Sequence, residues 1–241
     1  MTQQFLDLDP ELNLMPDPIA IGEAYLSSAR RIIALTRQAG ESCADTFVPA
    51  SPAWSLRDVL SHVTSVADHA ANAIPWGANV QETIDKGVAA RANESMEKIA
   101  SEYEGHLEVL AEKFAGGGPG ALVVDTVSHE HDIRSALGPD FKDHSAGLEA
   151  VLPSIVSWVR GLNLVGELGI VLRSPNVRAL FGGPEVAAEV EVPDDWELFR
   201  LLAVRRSAEQ LAAYPQKGDP ALLLAVTSRY PLPLKPLEID G

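Results

Sequence analysis

Cysteine is nearly missing from this chain. Its 241 residues include one, Cys43, so no internal disulfide and no cysteine-cluster metal site can form. This points to a reducing, cytoplasmic setting. Positive charge is also scarce: 19 Lys and Arg against 34 Asp and Glu leave a formal net charge of -15. Nucleic acid and anionic membranes would both repel such a protein. No apolar run approaches the ~20 residues of a membrane span. The segment Met1–Leu14 is acidic and has no basic stretch followed by an apolar one, so it does not read as a signal peptide. Gly116-Gly-Gly118-Pro-Gly120 lacks the Lys-Ser/Thr of a phosphate loop and follows no strand, which excludes a nucleotide reading.

What remains is the composition of an ordinary globular protein, 46% hydrophobic, long enough for one large domain or two modest ones. Met1–Pro16 reads as an extended or mobile arm. Asp17-Pro18 starts a helix, with Asp as cap and Pro in the first turn. Ile21, Tyr25, Ala29 and Ile32 form its apolar stripe, and Gly40 closes it. Ser55 and Asp58 make a capping-box variant for a second helix, whose stripe is Leu56, Val59, Leu60, Val63 and Ala67. Pro75-Trp76-Gly77 breaks it. The spacing of Met96, Ile99, Tyr103, Leu107 and Leu110 predicts a long helix over Gly87–Phe114, and another follows from Ala121 to Gly138. These four make a helical bundle. After about residue 147 the pattern changes. A helix over Leu148–Val165 leads to short apolar runs at Gly169–Leu172, Arg178–Phe181 and Ala187–Val192. Short helices then begin at Asp194-Asp195, Ser207 and Asp219-Pro220, and a proline-rich tail follows. The expected organisation is α+β: residues 1–147 as a four-helix bundle and 148–241 as a small α+β domain.

Chemistry concentrates in Asp125-Thr-Val-Ser-His129-Glu-His131-Asp132-Ile-Arg134-Ser-Ala-Leu-Gly138. On a helix turning about 100° per residue, Asp125, His129 and Asp132 share one face. A carboxylate and an imidazole at i, i+4 can hold one metal ion; the same spacing is also common on solvated helix faces. His131 falls roughly 200° from His129, so the two cannot share a metal, and Glu130 faces away from Asp125. In the second helix His62 lies beside the buried stripe and shares its face with Asp58, Ser65 and His69. Periodicity alone leaves open whether that face is a site or the wet side of the helix. Trp54 reads as packing at the helix entry, and His69, His106 and His144 as surface residues.

Two segments together, Trp54-Ser-Leu-Arg-Asp58-Val-Leu-Ser-His62-Val63 and the Asp125–Gly138 run, resemble the mycothiol-dependent maleylpyruvate isomerase family of the DinB-like superfamily. That family carries Trp-Ser/Thr-x-x-Asp-Val-Leu-x-His-Leu early and acid-x-x-x-His-x-x-Asp-x-Arg-x-x-Leu-Gly later. The resemblance implies a DinB-like four-helix bundle followed by a sterol-carrier-like α+β domain. It also implies a divalent metal, usually zinc, held by His62, Asp125 and His129. The family's acid is usually Glu. Asp125 is one methylene shorter, which would bring the metal closer to the helix or weaken its binding. The family's Leu-x-Gly-Arg element appears as Leu202-Ala-Val204-Arg205, which implies that Arg205 acts on substrate; read on its own, the Arg205-Arg206 pair suits a solvated helix end.

The implied activity is addition of a metal-activated thiolate, that of mycothiol, to an electrophilic small molecule, as an S-transferase or a cis-trans isomerase. Asp132 is then a candidate to orient an imidazole N–H. The expected partners are a low-molecular-weight thiol and a small electrophile, on a monomer or homodimer. The alternative is a non-catalytic, metal-stabilised module that binds a small ligand or regulates. A metal-dependent hydrolase activating water at the same site is a third reading.

Overall fold

The computed structural model describes Leu6–Leu8 and residues 17–237. Strand β1 is Leu6–Leu8 and helix α1 is Pro18–Ala39, with Asp17 accepting from the backbone N–H of Ile19 and Gly40 ending the helix. Helix α2, Leu56–Asn72, begins at a complete capping box. Ser55 accepts from the Asp58 N–H, and Asp58 accepts from the Ser55 N–H at 2.9 Å. Two helices then stand where one was expected. Helix α3 is Val80–Ala89 and α4 is Met96–Phe114, started by Ser95, whose hydroxyl accepts from the Lys98 N–H. The expected Gly87–Phe114 helix is interrupted because Ala90–Ser95 turns back on itself. Arg91 is tied into that turn, donating to the Gly87 carbonyl at 2.8 Å and to Glu102. Gly87 is needed for another reason: a Cβ there would lie 2.1 Å from the Ser65 hydroxyl on α2. Helix α5 is Gly120–Leu137.

Helices α1, α2, α4 and α5 form the bundle, α1 packing on α4 and α5, and α2 on the same two. The predicted stripes are in its core: Ile21, Tyr25, Ala29 and Ile32 of α1 and Leu56, Val59, Leu60 and Val63 of α2 are all buried. Helix α5 is buried on every side from Thr126 to Ser135, so no single apolar stripe marks it in the sequence. Residues 17–147 constitute one compact unit.

The second unit contains helix α6, Leu148–Gly161, then β2 (Leu168–Arg173), β3 (Val177–Gly182) and β4 (Glu185–Glu191). Helices α7 (Asp195–Leu202) and α8 (Ala208–Ala213), strand β5 (Gln216–Gly218) and helix α9 (Ala221–Val226) complete it. The sheet order is β1-β3-β2-β4-β5. β2 runs antiparallel to β3 and parallel to β4, while β5 pairs antiparallel with β4. Leu6–Leu8, which precedes the bundle in the chain, pairs in parallel with β3 and so belongs to this sheet. β3 alternates buried and half-buried residues, as expected of a strand covered on one face. Helix α6 packs on β3, and α9 on β2 and β4. The fold is α+β with a helical N-terminal part. No helix among the described residues is long and apolar enough to cross a membrane.

Candidate metal centre

Two helix starts set this site. The segment before α2 is pinned by its backbone: Val48 N–H donates to the Trp54 carbonyl and Leu56 N–H to the Thr46 carbonyl at 2.9 Å. That fixes Trp54 and the first turn of α2, with His62 two turns further along. Helix α5, entered at Pro119, brings Asp125 and His129 to meet it. His62 Nε2 lies 3.2 Å from Asp125 Oδ1, and His129 Nε2 lies 3.6 Å from the same oxygen. The three side chains can each offer one ligand atom within 4.8 Å of the others. His62 is therefore neither a wet helix face nor a simple core residue: it is 4% exposed and points at a carboxylate.

Those separations fit one metal ion. Zinc–nitrogen and zinc–oxygen bonds of about 2.0–2.1 Å set tetrahedral donor atoms roughly 3.3–3.4 Å apart, between the two values seen here. The donor set is two imidazoles and one carboxylate, which suits zinc. Asp125 keeps 29% of its side chain exposed while the histidines are almost covered, so the group opens to solvent on the carboxylate side.

Behind the imidazoles the surroundings differ. Asp132 is fully buried and its Oδ2 lies 3.2 Å from His129 Nδ1. With a proton on Nδ1 facing Asp132, Nε2 would be the bare nitrogen toward Asp125. Burial pushes the His129 imidazole down from its ordinary range, with Asp132 and Asp125 pulling partly the other way. His62 has no such partner. Its Nδ1 is shielded and finds no acceptor among the described residues. Instead its ring lies on Trp54, with centroids 4.9 Å apart. The same indole sits 5.8 Å from the His129 ring. Trp54 thus walls the site as well as seating the helix, a role that its place before the cap did not reveal. Tyr25 and Tyr103 lie behind Asp125, and burial raises both phenols well above their usual range.

The neighbouring charged residues have other duties. Glu130 is fully buried on the opposite side of α5. It accepts from Ser28 at 2.7 Å, from Arg31 at 2.7 and 2.8 Å, and from Arg134 at 2.8 and 3.0 Å. His131, also buried, lies 2.9 Å from the Ala146 carbonyl. Arg205 lies in the second unit, after α7, with Nη1 donating to the Ala203 carbonyl at 2.9 Å. Arg206 is not at a solvated helix end as its position suggested: it is 3% exposed and paired with Glu197. Val204 adopts a positive φ of 60°, which β-branched side chains disfavour and glycine accepts freely. That conformation explains a glycine at this place in the Leu-x-Gly-Arg pattern.

Fold and site define a helical bundle with a two-histidine, one-carboxylate centre, attached to a small α+β unit. Residues 25–134 match the model of the mycothiol maleylpyruvate isomerase N-terminal domain, a stretch that includes Trp54, His62, Asp125 and His129. A crystal structure of a mutant of the mycothiol-dependent maleylpyruvate isomerase has a similar fold: TM-score 0.54 at 12% identity, covering 82% of this chain and 94% of that one. Among curated proteins, none matches this chain.

Proposed function

We propose that His62, Asp125 and His129 hold a divalent metal ion, zinc by the chemistry of the donors, and that the protein is a thiol-dependent enzyme. Its reaction is addition of a low-molecular-weight thiol, mycothiol in the relative of similar fold, to an electrophilic small molecule. The product is released as an S-conjugate or as a geometric isomer. The observation that carries this reading is the approach of both Nε2 atoms to one Asp125 oxygen, at 3.2 and 3.6 Å.

A bound dication would supply the charge that keeps a thiol sulfur deprotonated at neutral pH. The chain's own residues do the rest. With three protein ligands a bound ion would stay accessible to a thiol, and the exposed edge of Asp125 marks the side from which that thiol would enter. Trp54 excludes water from the two imidazoles. Asp132 fixes the His129 tautomer through Nδ1. Arg205 is proposed to bind a substrate carboxylate or an enolate oxygen; the positive φ of Val204 supports the register of the motif that places it.

Metal analysis of the purified chain tests the ligand set. The intact protein should carry stoichiometric zinc and His62→Ala should lose it while keeping its helical circular dichroism. Zinc retained in full by His62→Ala would refute the set. Consumption of mycothiol in the presence of an activated alkene, above the uncatalysed rate, tests turnover. Metal bound with no thiol consumed over a panel of electrophiles would leave a binding module instead.

A further inference from the structure

His62 and His129 present the same Nε2 atom to Asp125, yet their rings are held differently. A metal-bound histidine ordinarily donates its second ring N–H to a carboxylate, a carbonyl or water, which fixes the plane of the imidazole. At His129 the Asp132 carboxylate stands where it can accept, 3.2 Å from Nδ1. At His62, Nδ1 is shielded and has no acceptor among the described residues. What the His62 ring has instead is an indole. The Trp54 and His62 centroids are 4.9 Å apart with the planes at 34°, a separation usual for aromatic pairs. The His129 ring meets His62 closer to edge-on, at 4.8 Å and 72°. The indole is carried by a held backbone: Trp54 N–H donates to the Ser51 carbonyl at 2.8 Å, and the Trp54 carbonyl accepts from Val48 N–H at 3.2 Å. Phe47 and Ser55 pair as an antiparallel bridge across the same segment. An imidazole that gives its lone pair to a dication becomes electron-poor, and the indole face attracts positive charge more strongly than any other aromatic side chain. The contact is therefore worth more with a metal bound than without.

We propose that Trp54 is a positioning residue of the metal centre: its indole face holds the His62 imidazole in the ligating plane and favours the metal-bound form, the part that Asp132 takes at His129. This role rests on His62, Asp125 and His129 being the ligand set. It goes beyond that set by assigning metal affinity to a side chain that has no ligand atom, since the indole N–H is a donor only.

Zinc affinity of the full-length chain, measured by competition with a chromophoric chelator at neutral pH, tests this. Trp54→Leu keeps an apolar wall without a π face and should weaken binding about tenfold. Trp54→Phe keeps a face, though a weaker one, and should stay within about threefold of the unaltered protein. Biosynthetic replacement of tryptophan by its monofluorinated and then more highly fluorinated forms withdraws electrons from the ring at nearly constant shape. Affinity should fall stepwise along that series. The trend should vanish in Trp54→Phe, where Trp76, Trp158 and Trp196 still carry the label. A space-filling role would give equal losses for leucine and phenylalanine and no response to fluorine. Either of those results, or affinity within about threefold in Trp54→Leu, overturns the role of Trp54. His62→Ala separates this outcome from failure of the ligand set. Zinc lost by His62→Ala but bound at full affinity by Trp54→Leu refutes Trp54 alone; zinc retained in full by His62→Ala refutes both. Should Trp54→Leu not fold, the fluorinated series in the unaltered sequence decides: a graded fall supports the indole face, and a flat response overturns it.

Discussion

Asp132→Asn isolates what the buried carboxylate behind His129 does for the proposed metal. The side chain has no solvent exposure and its Oδ2 lies 3.2 Å from Nδ1. Asparagine keeps the shape and an accepting oxygen but removes the charge; alanine removes both. A hydrogen bond to a charged group is worth about 1.5–3 kcal/mol net and a neutral one about 1 kcal/mol. Asparagine should therefore cost roughly 1–1.5 kcal/mol of metal affinity, near tenfold, and alanine about 2–3 kcal/mol, near a hundredfold. That range agrees with the 10–100-fold (order of magnitude) usual for partners behind a ligand. Competition for zinc against a chromophoric chelator at pH 7.5 measures it. Proton competition does not blur the result there, because burial already holds His129 below its ordinary range. Losing the Asp132 carboxylate lowers that imidazole further, so the variant competes with fewer protons at low pH and the gap to the unaltered protein should narrow toward pH 5.5. Two results refute the reasoning: affinity within about threefold of the unaltered protein in both variants, or losses matched by equal falls in the urea midpoint of the metal-free protein.

The ion-paired side of α5 gives a stability prediction. Glu130→Ala strands Arg134, 9% exposed, and partly strands Arg31, 33% exposed, and should destabilise the bundle by about 3–5 kcal/mol. Arg31→Ala should cost less, since solvent already reaches that partner. Urea unfolding followed at the helical signal decides; a loss under about 1 kcal/mol for Glu130→Ala contradicts the buried-pair account. The metal-free protein should also lose stability in acid in two steps. His129 is lowered in the fold, so as pH falls below its unfolded value of about 6.5 the unfolded chain takes up the proton first and stability declines. Glu130 is lowered too, through Arg31, Ser28 and Arg134 outweighing its burial. Its contribution is intact above the unfolded value of about 4.3 and is lost as pH falls through the folded value. A stability profile flat from pH 7 to pH 5 would contradict the first step.

Capping chemistry made the helix starts legible. Asp17-Pro18, Ser55 with Asp58, and Asp194 each act at a helix N-terminus as their residue types require. The alternating run at Glu189–Val192 likewise gave a strand. The break at Ala90–Ser95 was hidden because the stripe from Met96 onward is regular and its extension back to Gly87 breaks no local rule. Gly87 is instead set by contact with Ser65, which local sequence does not record. β1 and β5 are three residues each and exist through pairing alone. At the site, spacing found Asp125, His129 and Asp132 on one face, but placing His62 opposite them needed the family motif, since two distant helices must meet. Glu130 was read as facing away from Asp125, and it does. That it faces the core, and not water, depends on Arg31, ninety-nine positions earlier.

Helix α5 carries two polar clusters through the core, and their difference explains why one is a fixture and the other a candidate site. Charges removed from water are costly unless paired with good geometry. On one side Glu130 meets that demand from within the chain: its oxygens accept five hydrogen bonds, from Ser28, Arg31 and Arg134. Nothing there invites a ligand. On the other side the Asp125 carboxylate meets two imidazole nitrogens at 3.2 and 3.6 Å, and burial drives His129 toward its neutral form. A second carboxylate, Asp132, stands behind it. An imidazole driven toward its neutral form, as His129 is, does little to neutralise those carboxylates, whereas a dication placed among the three inner atoms would. The Asp125 edge also stays open to solvent where the Glu130 cluster is sealed. The same helix thus spends its inner charge in opposite ways: arginines close one face into structure, and histidines leave the other with negative charge and an entrance, as the proposed metal and thiol would require.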